Sequence, residues 1–523
     1  MTTTGTGSAS LNRERRAREL AELDGLRVDV LIVGLGATGA GAALDAAARG
    51  LSVAAIDACD LAFGTSRWSS KLIHGGLRYL ASGQLGIARE SAVERGVLME
   101  RTAPHLVRAL PFVLPLTPLV PPSQAAVTRA GLAAGDLLRR AAGTGRDTLP
   151  RARRLSRAET LLLAPGLRSH GLRGGLLSWD GQVCDDARLV TATARTAAAH
   201  GARVLTRCRA LSLAGDGARV RDELTGEELT IRARSVINAA GVWAGRLAEG
   251  VRLRPSRGTH LVLRAESLGG AAGPGPGPGG PAAGLYVPVP GEPNRFLLVL
   301  PQDDGRVYVG LTDEPADGPI PDVPEPTEGE IGFLLDVLGS ALDVPVRRDQ
   351  VIGAFAGLRP LLDDDRRGGP GRTSDLSRRH AVHTSPDGVI TVVGGKLTTY
   401  RRVAQDAVDA VADALGASAC RTGRLPLVGA ADRRALSAVD APRRLVRRYG
   451  TEAAAVAALG REDPALLEPV APGLPVTGAE LVWAVRHEGA IDEADLLDRR
   501  TRIGLVTADR AAALPAAARA LTY

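Results

Sequence analysis

Two lysines stand out among the basic residues of this sequence. The chain contains 65 lysines and arginines, and only Lys71 and Lys396 are lysines. An ammonium group is a compact point charge, whereas a guanidinium is a planar fork, so a lysine kept in an arginine-rich chain can mark a site that needs the smaller cation. An accident of composition is the alternative. Both lysines lie in turns rich in serine or glycine, which favours a binding role.

Lys71 lies in a segment, Thr65 to Tyr79, that is dense in hydroxyl groups, small residues and cations. Such a loop can wrap a diphosphate and press its backbone against a flat ring. A polar surface loop is the plain alternative. The predicted cofactor contacts in this loop are Thr65, Ser66, Ser69, Ser70, Lys71, Leu72, His74, Gly75 and Gly76.

Lys396 follows an apolar run, Gly388 to Val393, and precedes a helical pattern that reaches about Leu415. The N–H groups at the start of a helix favour negative charge, including the charge of a reduced flavin. The predicted cofactor contacts in this second turn are Gly395, Lys396, Leu397 and Thr398.

A third turn, Gly34 to Gly39, has the glycine spacing of a dinucleotide-binding motif. The chain contains 63 glycines. About one match is therefore expected by chance, and the spacing alone is weak. Its setting is more specific, because a strand-like run, Val28 to Val33, precedes it and an alanine-rich helical pattern follows it.

Each glycine of this turn has a predicted task. Gly34 permits the tight turn, Gly36 lets the backbone approach a pyrophosphate, and Gly39 lets helix and strand pack closely. Asp57 ends the next strand, Ser52 to Asp57. Its carboxylate can accept hydrogen bonds from the ribose hydroxyls of an adenosine.

These elements predict an α/β protein with a Rossmann-like FAD-binding domain built from discontinuous segments. The predicted divisions are a flexible N-terminal extension, 1–25; the FAD-binding domain, 26–100, 179–254 and 347–419; a β-rich substrate (cap) domain, 101–178 and 255–346; and a C-terminal helical domain, 420–523.

The composition excludes several classes of protein. The net charge is +7, which suits an anionic substrate or an anionic membrane surface. With 3% aromatic residues and no interleaving of basic and aromatic side chains, no nucleic-acid partner is expected. The four cysteines have no metal-ligand spacing, so we expect reduced thiols and no metal site. No apolar run is long enough for a membrane-spanning helix.

Several motifs, in order along the chain, make the sequence resemble the FAD-dependent (aerobic-type) glycerol-3-phosphate dehydrogenase family. The resemblance covers nearly everything after about Arg27, although Asp57 stands where the family often has Glu. The motifs are SSKLIHGGLRYL (69–80), DDARLV (185–190), NAAGVWA (238–244), RGTH (257–260), GLRPL (357–361), GGKLTTYR (394–401), ELVWAVRHEGA (480–490) and DLLDRRTRIG (495–504).

The resemblance implies oxidation of sn-glycerol 3-phosphate at C2 to dihydroxyacetone phosphate, with hydride transfer to flavin N5 of FAD. The implied substrate-binding residues are Arg78, Tyr79, Arg359, Arg378 and Lys396, with Arg379 as a substitute for Arg378. The implied catalytic residues are His260, Arg359 and Lys396. Imidazole is suited to take the C2 hydroxyl proton. His260 is the candidate base, and a structural role for His260, or His74 as the base, stays open.

The resemblance also implies that electrons pass to a membrane quinone. This places the protein in the cytoplasm, peripherally on the inner face of the cell membrane, with a homodimer as one option for its assembly. The alternatives are a glycerol-3-phosphate oxidase that uses oxygen, a related FAD-dependent amine or amino-acid oxidase, and a non-catalytic FAD-binding module. The cluster of predicted cations suits phosphate better than it suits an amino acid.

Overall fold

The computed structural model describes residues 9–76, 79, 83–269, 283–292, 295–363 and 380–523. The strands are β1 Arg27–Val33, β2 Val53–Ile56, β3 Leu72–Ile73, β4 Val107–Pro115, β5 Arg153–Leu155, β6 Gly175–Val183, β7 Arg203–Leu205, β8 Cys208–Ala214, β9 Gly217–Asp222, β10 Glu228–Asn238, β11 Ser256–Arg264, β12 Gly284–Pro288, β13 Phe296–Pro301, β14 Arg306–Gly310, β15 Glu314–Pro315, β16 Val351–Arg359, β17 Ala381–Thr384 and β18 Ile390–Val393.

The α-helices pack against two sheets or against one another. They are α1 Arg13–Glu22, α2 Ala37–Ala48, α3 Leu85–Val97, α4 Pro122–Ala141, α5 Arg157–Leu163, α6 Asp186–Ala199, α7 Glu328–Ala341, α8 Tyr400–Leu415, α9 Arg433–Ser437, α10 Arg443–Tyr449, α11 Ala453–Ala458, α12 Gly478–His487 and α13 Thr507–Ala520.

The first sheet has the strand order β17-β18-β10-β1-β2-β7, and β9 and β8 extend it from β10. Its central strand β1 pairs in parallel with both β10 and β2. Residues 28 and 30–33 of β1 are buried, as expected for a parallel strand covered on both faces. Three separate parts of the chain supply this sheet, which confirms the discontinuous Rossmann-like domain.

The second sheet has the order β15-β11-β14-β13-β12-β4-β6-β3, with β16 on β11 and β5 on β6. Strand β16 was predicted in the first domain, within 347–419, but it pairs with β11 from Ser256↔Arg359 to Leu263↔Val351. That boundary prediction is wrong, and β6 also crosses the predicted division at 178/179. The pairing with β11 places Arg359, the last residue of β16, opposite Ser256.

The N-terminal extension was predicted to be flexible, and for residues 9–25 this is wrong. Asn12 caps α1 by accepting a hydrogen bond from the N–H of Arg15. The guanidinium of Arg16 is buried and contacts Asp222 at 2.6 Å. The N–H of Leu11 also donates to the carbonyl of His487 at 3.0 Å. The segment is therefore anchored to both the first sheet and the C-terminal helices.

The C-terminal region is helical, as predicted, and has its own apolar core that includes Leu445, Trp483 and Leu497. Buried ion pairs attach it to α6: Arg195 contacts Glu452 at 2.6 Å, and Arg188 also pairs with Glu488. In the part of the chain that the structure describes, no helix is both long enough and apolar enough to cross a membrane.

Candidate active site

A cavity of about 490 Å³ lies where the two sheets meet. The turn after β1, the loop between β2 and β3, the ends of β11 and β16 and the turn after β18 all line it. Of the predicted site residues, those lining it are Gly34, Gly36, Asp57, Thr65, Ser66, Ser69, Ser70, Leu72, His74, His260, Arg359, Gly395, Lys396, Leu397 and Thr398. The structure thus brings residues from distant parts of the sequence together.

The Gly34–Gly39 turn has the predicted backbone geometry. Gly34 has φ +100°, and a Cβ there would lie 2.6 Å from the carbonyl oxygen of Ala239. Gly39 does not line the cavity, and a Cβ on it would lie 1.7 Å from the carbonyl oxygen of Gly34. Gly36 lines the cavity directly, opposite the hydroxyl of Ser66. Gly34 and Gly39 allow the close turn, and the backbone at Gly36 can then approach a pyrophosphate.

Asp57 follows β2 and presents its carboxylate to the cavity. The N–H groups of Leu35 and Cys59 donate to the carboxylate at 2.7 and 2.8 Å, which fixes its orientation. Burial, opposed by these two hydrogen bonds and aided by the nearby Asp60, raises the pKa of Asp57 to about 6. Hydroxyl donors from a ribose would stabilise the ionised form.

Serine side chains of the β2–β3 loop make contacts on both sides of the cavity. The hydroxyl of Ser66 accepts a hydrogen bond from the N–H of Ala37 at 2.9 Å, at the start of α2. The hydroxyl of Ser70 lies 2.9 Å from Nε2 of His260. The loop therefore joins the dinucleotide turn to the second sheet.

Lys71 does not line the cavity, so the predicted contact of its ammonium with the cofactor is wrong. Its Nζ donates to Asp186 at 3.1 Å and to the carbonyls of Arg67 and Ser69, both at 3.0 Å. Burial lowers the pKa of Lys71 to about 8, against the attraction of Asp186. The residue has φ +56°, and its ammonium lies against Asp186.

Gly75 and Gly76 also lie outside the cavity lining, contrary to prediction. The N–H of Gly75 donates to Asp180 at 3.0 Å, and a Cβ on Gly75 would lie 2.1 Å from the guanidinium of Arg95. A Cβ on Gly76 would lie 2.8 Å from Cα of Ala88 in α3. Both glycines permit close packing against α3.

Two cations line the end of the cavity formed by the second sheet and the β18 turn. Nη1 of Arg359 donates to Ser256 at 3.2 Å and lies 3.3 Å from Asp313. Nζ of Lys396 donates to the hydroxyl of Ser91 at 2.8 Å and lies 4.0 Å from the ring centre of Tyr79. Tyr79, predicted to bind substrate, contacts Lys396 but does not itself line the cavity. Arg78 and Arg378, with its substitute Arg379, lie outside the described residues.

Both candidate bases line the cavity but differ in their surroundings. His260 is 1% exposed and is stacked on Phe355, and none of the described residues gives its Nδ1 a hydrogen-bond partner. Burial, with smaller contributions from the cations of Lys71 and Arg359, lowers the pKa of His260 to about 3. The side chain of His74 is 43% exposed, and its Nδ1 lies 3.3 Å from Asp180.

The sequence reasoning missed the aromatic wall of the cavity. Phe63, Trp68 and Trp243 all line it, and the rings of Phe63 and Trp243 lie 6.4 Å apart. Trp68 occurs in the serine-rich loop and Trp243 in the NAAGVWA motif, both of which were singled out. The chain has four tryptophans, and two of them lie in those motifs. The position of these rare residues could therefore have predicted that they line the site.

The cavity fits FAD. Glycine backbone and the start of α2 would take the pyrophosphate, Asp57 the ribose, and the β18 turn with Lys396 the isoalloxazine ring. Arg359, which pairs with Asp313, and Lys396 bring two cationic groups to the same end of the cavity, and cations of these types suit an anionic second molecule.

Comparison with known proteins supports this assignment. Residues 29–401 match the family described as FAD dependent oxidoreductase, and residues 420–522 match the C-terminal domain of alpha-glycerophosphate oxidase. Glycerol-3-phosphate dehydrogenase 1 of Mycobacterium tuberculosis is 54% identical over 510 residues, which is 96% of each chain. Glycerol-3-phosphate dehydrogenase 2 of the same organism is 35% identical over 96% of this chain and 85% of that one.

A solved structure that is similar to this chain comes from a protein of the same name. The glycerol-3-phosphate dehydrogenase from Bacillus halodurans, complexed with FAD, is 27% identical, with a TM-score of 0.73 over 98% of this chain and 94% of that chain. The cavity geometry, the two family matches and the relatives agree. The chain belongs to the family of FAD-dependent glycerol-3-phosphate dehydrogenases.

Proposed function

We propose that this protein oxidises sn-glycerol 3-phosphate to dihydroxyacetone phosphate and passes the electrons to a membrane quinone. The observation that carries the proposal is that Arg359 and Lys396 line the same cavity as the Gly34–Gly39 turn. FAD, when bound, supplies the two-electron oxidant. The names of the relatives support the same substrate.

The two cations would bind the phosphate of the substrate. A guanidinium offers a planar fork of donors to phosphate oxygens, and an ammonium offers a point charge. Arg359 is held by Ser256 and Asp313, and Lys396 by Ser91, so both side chains are oriented before substrate arrives. Holding the phosphate in this way positions C2 for reaction. The contributions of Arg78 and Arg378 stay predictions.

An imidazole would take the proton of the C2 hydroxyl. His260 is neutral near pH 7, because burial lowers its pKa to about 3, and it can therefore accept a proton. A phosphate dianion near Arg359 would raise that pKa and make His260 a stronger base. His74 is oriented by the carboxylate of Asp180, which itself contacts Arg95 at 2.6 Å. His260 is the proposed base and His74 its rival.

The substrate is tested without oxygen. Adding glycerol 3-phosphate to the anaerobic holoenzyme should bleach the absorbance of oxidised flavin, whereas glycerol or a neutral amino acid at the same concentration should not. An unbleached flavin with glycerol 3-phosphate would refute the proposed substrate, and bleaching by an amino acid would favour an amino-acid oxidase.

The base is tested by two alanine variants. His260→Ala should lower kcat by about 10²–10⁴-fold, the range for a general base, with normal FAD content. His74→Ala should have the smaller effect on kcat. The reverse order would move the role to His74.

The acceptor is tested by comparing a short-chain quinone with oxygen under otherwise equal conditions. The quinone should support the faster turnover. Oxygen is the second candidate, because residues 420–522 match a domain named for an alpha-glycerophosphate oxidase. Binding to anionic lipid vesicles, but not to neutral ones, is expected of a peripheral protein on the inner face of the membrane.

A further inference from the structure

The C-terminal domain contacts the cofactor loop at Asp60. Nη1 and Nη2 of Arg500 donate to the two oxygens of Asp60 at 2.7 and 2.8 Å, and Nε of Arg499 donates to the same carboxylate at 2.5 Å. Asp60 and Arg500 are each 1% exposed. Arg500 is held in turn by the carbonyl of Glu488 at 2.8 Å. Two arginines of the DLLDRRTRIG motif thus converge on one buried carboxylate.

A second set of contacts joins the same motif to the same loop. Arg502 donates to the carbonyl of Arg67, and its guanidinium lies 5.0 Å from the ring centre of Trp68. The guanidinium of Arg499 lies 5.7 Å from the ring centre of Phe63. The arginines therefore support the outer faces of two aromatic rings that line the cavity.

The loop that these arginines hold is the loop that lines the FAD cavity. Asp57, Cys59, Phe63, Thr65, Ser66 and Trp68 line it between β2 and β3. The N–H of Ala62, two residues after Asp60, donates to the carbonyl of Leu35 in the dinucleotide turn at 3.0 Å. Asp60, Arg499 and Arg500 themselves do not line the cavity. Any effect of these three residues on the cavity must therefore pass through the position of the loop.

We propose that the C-terminal domain holds the FAD-binding loop in position through the ion pair of Arg499 and Arg500 with Asp60, so that this pair determines how tightly FAD is retained. Arg500 is a positioning residue. Its guanidinium donates to both carboxylate oxygens of Asp60 in the loop and to the backbone carbonyl of Glu488 in the C-terminal domain. The C-terminal domain thereby gains a role in cofactor binding.

The test compares two buried ion pairs of the same domain. Arg500→Met removes the two hydrogen bonds of Arg500 to Asp60 on the cofactor loop and leaves Asp60 its contact with Arg499. Arg195→Met removes the pair with Glu452, which joins the C-terminal domain to α6, and no residue of that fully described helix lines the cavity. Both variants leave a buried carboxylate without its main partner, so both should lose thermal stability.

FAD binding separates the two variants. Measured by flavin fluorescence on reconstitution, well below the unfolding temperature, the dissociation constant of FAD should rise at least tenfold in Arg500→Met and change less than twofold in Arg195→Met. An unchanged constant in Arg500→Met, or an equal rise in both variants, would overturn the proposal.

A double variant separates position from charge and also covers the case in which Arg500→Met does not fold. Combining Asp60→Asn with Arg500→Met removes both charges, so the protein should recover stability. The loop still lacks the two hydrogen bonds from Arg500, and the dissociation constant of FAD should stay at least tenfold above that of the unmodified protein. Recovery of normal FAD binding in the double variant would refute a positioning role.

Discussion

The Ser69–Lys71 turn and the Gly394–Lys396 turn border the same cavity, yet their lysines have different surroundings. In the first turn Ser69 and Ser70 line the cavity, while Nζ of Lys71 lies beneath the loop against Asp186. In the second turn Lys396 itself lines the cavity and donates to Ser91. One ammonium neutralises a carboxylate of the fold, and the other faces the space for a ligand.

The difference follows from backbone geometry and from the available partner. Lys71 has φ +56°, and Asp186, which is fully buried at the start of α6, lies within reach of its ammonium. A buried carboxylate needs a counter-charge, because desolvation strongly disfavours an isolated ion. Among the described residues, Lys396 contacts a serine hydroxyl and an aromatic face. A scarce residue type thus marks two sites, and only one of the two ammonium groups lines the cavity.

The largest expected effect is on stability, from Lys71→Met. The change leaves Asp186 buried without its ammonium, and breaking a buried ion pair costs about 3–5 kcal/mol. Urea unfolding should show this loss in the free energy of unfolding. Adding Asp186→Asn should restore part of it, because no uncompensated charge remains. A variant as stable as the parent would contradict the structural role of Lys71.

The sequence predicted the parts of the fold that depend on local pattern. The apolar run before Gly34 and the alanine-rich pattern after it determine β1 and α2, and the spacing of the three glycines determines the turn between them. The sequence did not assign β16 correctly, because its partner β11 lies about a hundred residues away and strand pairing of that range leaves no local signal.

The same limit applies to the site. Ser70 and Lys396 were identified because each lies in a turn of distinctive composition. The direction of Lys71 depends on Asp186, 115 residues away, and the order of α1 depends on contacts of Arg16 with Asp222 and of Leu11 with His487. Such partners appear only when the chain is folded.

The second expected effect is on catalysis, from Lys396→Met. Losing a hydrogen bond from a charged donor costs about 1.5–3 kcal/mol, so kcat/KM for glycerol 3-phosphate should fall about 10- to 150-fold. Stability should change by less than about 1 kcal/mol, since the side chain is only partly buried. Steady-state kinetics and urea unfolding measure the two quantities.

A matched control uses a cation close by on α8. Arg402 pairs with Asp406 at 2.8 Å and does not line the cavity. Arg402→Met should therefore leave kcat/KM within twofold. If Lys396→Met lost stability instead of activity, the contrast between the two turns would fail.

The smallest expected effect, a change in slope of about 1.4 kcal/mol per pH unit, concerns the histidine that contacts the first turn. Burial lowers the pKa of His260 from 6.5 to about 3, so the unfolded chain binds one more proton at this group between those pH values. The contribution of His260 is complete above pH 6.5 and is lost by about 1.4 kcal/mol per pH unit as the pH falls toward 3. His260→Gln should flatten the fall in unfolding free energy by this slope.

His105 provides the control, because burial also lowers its pKa to about 3 but it does not line the cavity. The variant His105→Gln should change the slope by the same amount and keep normal turnover. A His260→Gln variant with the parent slope would mean that His260 is already protonated above pH 6, and its assignment as a neutral acceptor beside Ser70 would be wrong.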